Sequence, residues 1–318
     1  MAVHGDDGGV ASPYAVDPDD PDKITVWGDL AELDYSERPE RDSLLRFWDE
    51  VVAHYVGLGF HGFRCDAAYK LPGEVWGELI GSARATDPEV WFFAETLGAQ
   101  IDEVDQLRPA GFDYFFNSAK WWDFRKDWLL EQYEQFRHVA PSVAFPESHD
   151  TERVAAATDD GERDSRFWYL FTALFSSGVM MPIGYELGFR KRLHVVDTRP
   201  RDWEQPRFDI SGFIGSVNAM KARTPALNVE GPQERFTDPT EPVVGLVRRM
   251  DDGEQRVASL INPDPAAALG FQTQRLAGVL RCAPNQMQEI TPERDTVDVP
   301  PDGEIRVAAR DIRVFAVG

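Results

Sequence analysis

Apolar residues recur at helical spacing in one early segment of the chain. Within residues 43–56 they lie three and four positions apart, and Gly57 and Gly59 follow. Glycine just beyond the last periodic position is a common end of a helix. The pattern predicts a helix over 43–56 and then a strand in the segment GFHGFRCD.

Strand-like and helix-like segments continue to alternate along the next hundred residues. The further strand candidates are VWFFAET (90–96), GFDYFF (111–116), VAFPESHD (143–150) and VMMPIGYE (179–186). The stretches with helical spacing cover 74–85, 121–138 and 164–176. Alternation with apolar strands predicts an α/β fold with a parallel sheet and helical crossovers.

The pattern of apolar and polar residues changes near Arg223 and Pro225. From about residue 228, short alternating runs such as PVVGLVRRM and QRVASLINP are separated by Asp, Gly and Pro. This pattern predicts a small antiparallel β-sandwich domain over 228–318. Residues 1–227 are expected to form a separate α/β domain, part of a (β/α) barrel on the resemblance described below, in which 1–40 are expected to be largely loop.

Net charge limits the classes of partner. The chain has 318 residues and a formal charge of −22 at pH 7, so nucleic acid and anionic membranes are not expected partners. Ordinary solvated loops explain the acidic residues, but a surface adapted to high salt explains them better. The sequence contains no run of about 18 apolar residues, so it predicts no membrane span.

The two cysteines, Cys65 and Cys282, are far apart in the sequence and suggest no disulfide framework. The opening MAVHGDDGGV has no basic start and no apolar core, unlike a secretory signal. We therefore expect a reducing, cytoplasmic location. Cys65 is expected to be a small core residue, because strand alternation turns it away from Asp66.

Ionisable residues stand where three strand candidates end. Arg64 and Asp66 end the first, Glu95 the next, and His149 and Asp150 the fourth. In a parallel α/β barrel the carboxyl ends of the strands share one face, where active sites lie. Each residue alone is more often a structural ion pair or hydrogen-bonded group, but the combination points to an active site.

Two carboxyl groups of different character suit one reaction class. The guanidinium of Arg64 favours an ionised Asp66, which can act as a nucleophile. Apolar surroundings raise the pKa of a carboxyl such as Glu95, which can then act as an acid. This division of roles is what retaining glycoside chemistry requires. Asp150 and His149 could hold sugar hydroxyls at the same level.

Three segments, GFRCDAAYKLP, FFAETLG and FPESHDT, resemble conserved regions two, three and four of the α-amylase superfamily. The resemblance implies a (β/α)8 barrel with Asp66 as nucleophile, Glu95 as general acid/base and Asp150 as transition-state stabiliser. It implies that Arg64 and His149 are their invariant partners. The MPIGYE segment resembles the eighth strand of the family, and the β-rich tail resembles its C-terminal domain.

The kinship within the superfamily is mixed. GYELGF followed by TRPRDWE is similar to maltosyltransferases that build α-glucan, whereas FPESHDT is nearer the general amylase pattern. Ser148 stands where many relatives carry Asn.

The first conserved region, Asp-x-x-x-Asn-His, is not found, and candidates exist only for strands four to eight of the barrel. We therefore expect a C-terminal portion in which 1–40 retain part of the family's insertion domain. A second chain supplying the missing strands is one expectation. No cofactor is required; many relatives bind calcium, but no metal ligands are readable here.

Several further residues keep two interpretations. Tyr69 and Lys70 follow the nucleophile segment, where relatives place sugar contacts, but loop packing and a surface charge fit equally well. Trp121 and Trp122 could stack on sugars, although core packing is more common. Glu147 fits a surface carboxylate at least as well as a mouth residue.

The sequence thus predicts a retaining enzyme acting on the α-1,4 bonds of starch-type or glycogen-type oligosaccharides. A glycosyltransferase resembling the maltosyltransferases is the first alternative, because the acceptor is set by loops that sequence does not show. An inactive or split-gene subunit that only binds glucan is the second.

Overall fold

The computed structural model describes residues 3, 8–17, 20–36, 39–294 and 303–317. The chain divides into two compact units: Met1–Asn117 with His138–Ala140, and Ser118–Arg137 with Pro141–Gly318. They are called unit 1 and unit 2 below. The boundary predicted between residues 227 and 228 stays a prediction.

Unit 1 contains a parallel sheet and three helices. Its strands are β1 (Tyr14–Asp17), β2 (Asp20–Val26), β3 (Gly62–Cys65), β4 (Trp91–Glu95) and β5 (Tyr114–Phe116). Its helices are α1 (Pro39–Gly57), α2 (Gly73–Thr86) and α3 (Ile101–Asp105). The strands β3, β4 and β5 pair in parallel, with the helices as crossovers, as the alternating pattern predicts.

The two faces of the β3–β5 sheet are buried very differently. Phe92, Ala94 and Phe115 on one face are almost completely buried. On the other face Trp91, Phe93 and Tyr114 stack with interplanar angles of 11–20°, and Trp91 remains 46% exposed. Side chains two positions apart share a face of a strand, so Arg64 and Glu95 extend from the same side as these rings.

Unit 2 combines further parallel strands with the C-terminal sheets. Its strands are β6 (Ser142–Ala144), β7 (Gly178–Val179), β8 (Gln233–Arg235), β9 (Val244–Arg249), β10 (Arg256–Asn262), β11 (Leu269–Gln272), β12 (Gln288–Glu289), β13 (Glu304–Val307) and β14 (Asp311–Val317). Its helices are α4 (Trp128–Phe136), α5 (Val154–Ala157), α6 (Gly161–Phe175), α7 (Ser211–Ala222) and α8 (Thr273–Leu280). The strands β6 and β7 pair in parallel.

The C-terminal sheets are antiparallel, as the short alternating runs predict. The larger sheet has the order β12-β14-β10-β9-β8, and the smaller one pairs β11 with β13. The larger sheet is buried on both faces. Residues such as Leu246 and Val314 pack in the cluster of α6 and α7, while Leu260 and Phe315 pack on α8 and the smaller sheet. Burying each such side chain contributes about 1.5–3 kcal/mol.

Two cationic side chains donate hydrogen bonds to the carbonyls at the C-terminal end of α6. Lys221 of α7 is buried, and its ammonium donates to the carbonyls of Ala173 and Ser176 at 2.9 and 2.6 Å. Arg248 of β9 donates to the carbonyls of Leu174 and Phe175 at 3.3 and 2.7 Å. The last carbonyls of a helix have no intrahelical partner, so these bonds satisfy them and tie the larger sheet to α6.

The prediction of loop near the N-terminus is wrong for part of 1–40. The strands β1 and β2 form an antiparallel pair in which Tyr14 lies opposite Val26 and Val16 opposite Ile24. The abundance of Asp and Pro in this part of the sequence concealed its short apolar alternation. Residues 1, 2, 4–7, 18, 19, 37 and 38 of this region lie outside the described residues.

Three other elements are shorter than predicted. The helix predicted over 121–138 begins at Trp128, because Phe124 has φ of 62° and the Asp123 carboxylate accepts from the amides of Arg125 and Lys126. The strands predicted over 143–150 and 179–186 end at Ala144 and Val179. Beyond Ala144, side-chain hydrogen bonds within 147–154 replace the strand ladder. Among the described residues, no helix is long and apolar enough to cross a membrane.

Candidate active site

Asp66 lies immediately after β3, with its side chain largely in solvent. The guanidinium of Arg64 donates to the Asp66 carboxylate at 2.5 Å, and 75% of the Asp66 side chain is exposed. The Arg64 guanidinium carbon also lies 6.0 Å from the centre of the Phe116 ring. The Asp66 carboxylate is thus both paired with a cation and accessible to a ligand.

The residue after Asp66 connects β3 to the end of β4. Ala67 has φ of 41°, in the left-handed region that residues with a Cβ adopt rarely. In this conformation its amide donates to Oε2 of Glu95 at 2.7 Å. The backbone strain at Ala67 therefore accompanies a contact that brings the Asp66 turn against Glu95.

Glu95 is buried at the end of β4, with only 7% of its surface exposed. Its second oxygen accepts from the amide of Leu97 at 2.7 Å. Burial raises the pKa of Glu95, an effect that the two amides and Arg64 partly oppose and that the charge of Asp66 reinforces. Unit 1 thus holds an exposed carboxylate close to a buried carboxyl with a raised pKa.

Tyr69 and Lys70 occupy the turn that follows Asp66. Tyr69 is buried, and burial raises the pKa of its hydroxyl, helped by the nearby charges of Glu95, Glu103 and Asp66. The ammonium of Lys70 lies 3.6 Å from the Glu103 carboxylate and 4.9 Å from the centre of the Tyr69 ring. Both residues therefore have packing roles, and the prediction that they contact sugar stays a prediction.

His149 and Asp150 lie in the turn that follows β6 in unit 2. Nε2 of His149 is 3.2 Å from Oδ2 of Asp150, with 32% and 58% of the side chains exposed. The Ser148 hydroxyl accepts from the Asp150 amide at 3.1 Å, and the Asp150 carbonyl accepts from Arg192 at 3.1 Å. Ser148 therefore shapes the turn that presents the two side chains.

The interpretation of Glu147 as a surface carboxylate is wrong. Glu147 is 1% exposed, and its Oε1 accepts from Nη1 of Arg153 at 2.6 Å. Burial raises the pKa of Glu147, while Arg153 and the Val154 amide oppose that rise. The sequence analysis did not identify Arg153 as the partner of Glu147. The signal available was a glutamate and an arginine six residues apart, with His149 and Asp150 between them.

The tryptophan pair divides between the two predicted roles. Trp122 is buried and stacks on Phe171 with ring centres 5.8 Å apart, so it belongs to the core. Trp121 is 50% exposed and meets the edge of Phe145, the residue after β6, at 5.9 Å. Trp121 is thus an accessible indole beside the strand end that carries His149.

Cysteine and metal chemistry have little support in the part of the chain that is described. Cys65 and Cys282 are free thiols. Cys65 is buried as predicted, and burial raises the pKa of its thiol to about 12, so it is not a nucleophile at neutral pH. Within the same residues, no group of three or more His, Cys, Asp or Glu could hold a metal ion. No calcium ligands can be named, and the calcium expectation is untested.

The chain is similar in sequence to enzymes of α-glucan metabolism. Over 260 residues it is 28% identical to an α-1,4-glucan:maltose-1-phosphate maltosyltransferase of Burkholderia pseudomallei, covering 78% of this chain and 23% of the relative. Over 285 residues it is 23% identical to the α-amylase MalA of Haloarcula japonica, covering 83% of this chain and 40% of the relative. The chain thus spans well under half the length of these curated relatives. No family model matches it.

Solved structures share the fold. The α-amylase of Geobacillus thermoleovorans in complex with acarbose superimposes with a TM-score of 0.65 at 14% identity, over 90% of this chain and 66% of that chain. This likeness confirms the predicted fold class, part of an amylase-type barrel followed by a β domain. The sequence relatives confirm the resemblance to the α-amylase superfamily, with similarity to maltosyltransferases. The roles of individual site residues stay predictions.

Proposed function

We propose, for a chain with the fold and sequence likeness of the α-amylase superfamily, that it carries the catalytic residues of a retaining α-glucan-active enzyme. The substrates would be the α-1,4-glucosidic bonds of starch-type or glycogen-type oligosaccharides. One observation carries the proposal: at adjacent strand ends, the carboxylate of Asp66 is exposed while Glu95 is buried with a raised pKa. Retaining glycosidases need one carboxylate of each kind.

The chemistry follows from these two environments. A carboxylate oxygen of Asp66 attacks the anomeric carbon as the glycosidic bond breaks, and Glu95 gives its proton to the leaving oxygen. Glu95, now ionised, takes a proton from the incoming water or sugar hydroxyl, which displaces Asp66 from the glycosyl-enzyme. The two inversions retain the α-anomer. The hydrogen bond from Arg64 holds the Asp66 carboxylate in place before the attack.

The remaining predicted residues are proposed as sugar contacts from the resemblance alone. On that resemblance Asp150 is the candidate transition-state stabiliser, and His149 is a candidate hydrogen-bond donor to a sugar hydroxyl. Both side chains are partly exposed at the end of β6, as a ligand contact requires. Tyr69 and Lys70 are kept as candidate substrate contacts, although each already packs within unit 1.

A transferase is the second candidate, and the names of the sequence relatives favour it. The relative from Burkholderia pseudomallei is a maltosyltransferase, and so is another from Myxococcus xanthus, 25% identical over 255 residues. Transfer and hydrolysis use the same first step and differ in the acceptor that meets the glycosyl-enzyme. The choice therefore depends on how well water is excluded after the first step.

One experiment separates these outcomes. The purified protein and its Asp66→Asn variant are checked for folding by circular dichroism in molar KCl and incubated with glycogen and malto-oligosaccharides. Shorter α-anomeric products from wild type alone support hydrolysis; longer and shorter products together support transfer. Inverted products, or equal products from Asp66→Asn, contradict the mechanism. Glucan binding by a folded but inactive wild type favours the remaining alternative, a subunit that only binds glucan.

A second chain is proposed to cover the exposed face of the β3–β5 sheet. The stacked rings of Trp91, Phe93 and Tyr114 are apolar and partly exposed, and among the described residues β4 is the strand paired with β3. A polypeptide that adds strands at this edge would bury those rings and satisfy the edge. Oxidative footprinting at Trp91 tests this: protection in protein from its native cells, absent when the chain is produced alone, supports it. Equal oxidation contradicts it.

A cytoplasmic location is also proposed. The support is that both cysteines are free, as a reducing compartment allows. Thiol labelling in intact cells tests the point: Cys282 should react with a membrane-permeant reagent and not with an impermeant one.

A further inference from the structure

The buried ion pair of Glu147 and Arg153 encloses the turn that carries His149 and Asp150. Both side chains are almost inaccessible, at 1% and 2% of their surface. Oε1 of Glu147 accepts from Arg153 at 2.6 Å, and Oε2 accepts from the Val154 amide at 2.6 Å. Both carboxylate oxygens are thus engaged by the far end of the turn, and Glu147 closes residues 147–154 into a loop.

The guanidinium of Arg153 also reaches a second segment of unit 2. Its Nη2 donates to the carbonyl of Ile183 at 2.9 Å, and its Nε donates to the carbonyl of Lys191 at 3.1 Å. These carbonyls lie in the irregular stretch after β7. Arg192, next to Lys191, returns a bond to the carbonyl of Asp150 at 3.1 Å. The 147–154 loop and the 183–192 segment are therefore joined in both directions.

An ion pair buried this deeply does not stabilise a fold as well as apolar residues of the same volume. Removing two charges from water costs several kcal/mol per ion, and replacing such pairs by apolar residues is often neutral or stabilising. A guanidinium donates from three nitrogens in fixed directions and can therefore bond three acceptors at once, which apolar side chains cannot do. The arrangement of Arg153 is suited to holding two irregular segments in one geometry.

We propose that Glu147 and Arg153 are positioning residues that fix the His149–Asp150 turn against the 183–192 segment. Neither side chain has exposed surface with which to meet a substrate. They act through the orientation of His149 and Asp150, whose role in binding sugar rests on the proposed function. Loss of the pair leaves the two segments free to move separately.

The first test measures the coupling directly, without substrate. Hydrogen exchange is followed in wild type, Arg153→Lys and Arg153→Met. Lysine keeps the charge but cannot bond Glu147, Ile183 and Lys191 together. We expect exchange to become about tenfold faster in both 147–154 and 183–192 in each variant. The matched control is Arg166→Met, an arginine of α6 in partly exposed ion pairs with Glu162 and Glu293, which should leave both segments unchanged.

Arg153→Lys decides the test if Arg153→Met does not fold. Unchanged exchange of 183–192 in folded Arg153→Lys overturns the proposal. So does a uniform rise along the whole chain, since that would mean the pair only adds to global stability.

The second test reports on the orientation of His149. The His149 imidazole signal, assigned by NMR with a His149→Gln variant, should shift in Arg153→Lys and not in Arg166→Met. On glucan substrate, kcat should fall about 10- to 100-fold while KM changes less than about threefold. An unmoved imidazole signal with unchanged kcat contradicts positioning. If wild type is inactive on glucans but exchange and the imidazole signal respond, the proposed function fails and the positioning pair stands.

Discussion

Two buried glutamates, Glu95 at the end of β4 and Glu147 in the turn after β6, each lie near an exposed aspartate, but they differ in their hydrogen-bond partners. Glu95 accepts from two backbone amides, and the nearby Arg64 bonds Asp66 instead. Glu147 accepts from one amide and directly from the buried guanidinium of Arg153. Burial raises the pKa of both carboxyls. A negative charge on Glu147 is balanced by the guanidinium that is hydrogen-bonded to it. A negative charge on Glu95 is balanced only in part, because Arg64 bonds Asp66.

That difference separates a chemical role from a structural one. A buried carboxyl without a bonded cation can take up and release a proton at modest cost, as a general acid must. A carboxylate bonded to a buried arginine cannot, because its protonation would leave the arginine without a counter-charge. The exposed aspartates, Asp66 and Asp150, are free to meet a ligand in both regions.

The largest effect is expected when Asp66 is neutralised. Asp66→Asn should lower kcat/KM on malto-oligosaccharides by about 10⁴-fold, because the amide is no nucleophile. Its free energy of unfolding should change by no more than about 0.5 kcal/mol, since the side chain is mostly exposed. Steady-state kinetics and urea unfolding measure the two quantities. Glu74→Gln, an exposed acid of α2, is the control and should match wild type in both.

The two buried glutamates should respond unequally to the same substitution. Glu147→Gln leaves Arg153 buried without its counter-charge, which should cost about 3–5 kcal/mol of stability. Glu95→Gln leaves Arg64 paired with Asp66 and loses one of two amide bonds, for about 1–3 kcal/mol. Urea unfolding at pH 7 in constant KCl gives both values. Equal losses would remove the distinction drawn between the two strand ends.

The exposed and buried members of the Trp121–Trp122 pair extend the same contrast to aromatic side chains. Trp121→Ala should weaken malto-oligosaccharide binding about tenfold, as loss of a stacking ring does, with under about 1 kcal/mol lost in stability. Trp122→Ala should instead cost about 3–5 kcal/mol of stability. Calorimetric titration and urea unfolding report the two effects. Unchanged sugar affinity in Trp121→Ala would leave the indole without a binding role.

Sequence reasoning reached the side chains that are proposed to carry the chemistry, because their positions depend on strand periodicity. Alternation along β3 and β4 places Arg64 and Asp66 on one side and gives Glu95 a buried strand end. The resemblance to known conserved regions named the same residues. The predicted parallel strands, the α1, α2 and α6 helices and the antiparallel C-terminal sheets are present for the same reason.

What sequence did not predict depends on contacts between side chains and distant backbone. Arg153 is fixed by carbonyls 30 and 38 residues away, which no local pattern indicates. The left-handed Ala67 carries no glycine signal. The abundance of Asp and Pro in the early sequence concealed the β1–β2 pair, and local hydrogen bonds around Ser148 cut short the strand predicted over 143–150. At Arg153 and Ala67, by contrast, long-range hydrogen bonds set the geometry.

The smallest effect tests the state of the Glu95 proton. Burial raises the pKa of Glu95, so the folded protein keeps this proton at pH values where the unfolded chain, with a pKa of about 4.3, has released it. The stability that Glu95 contributes is therefore greatest below that unfolded pKa and falls as pH rises through the folded pKa.

Glu95→Gln lacks this titration. Relative to the variant, wild type should be more stable at pH 4.5 than at pH 7, as urea unfolding in constant KCl would show. Glu74→Gln should run parallel to wild type over the same range. A difference between wild type and Glu95→Gln that stays constant or grows with pH would mean that Glu95 is ionised throughout, and it would contradict the proposed role as general acid.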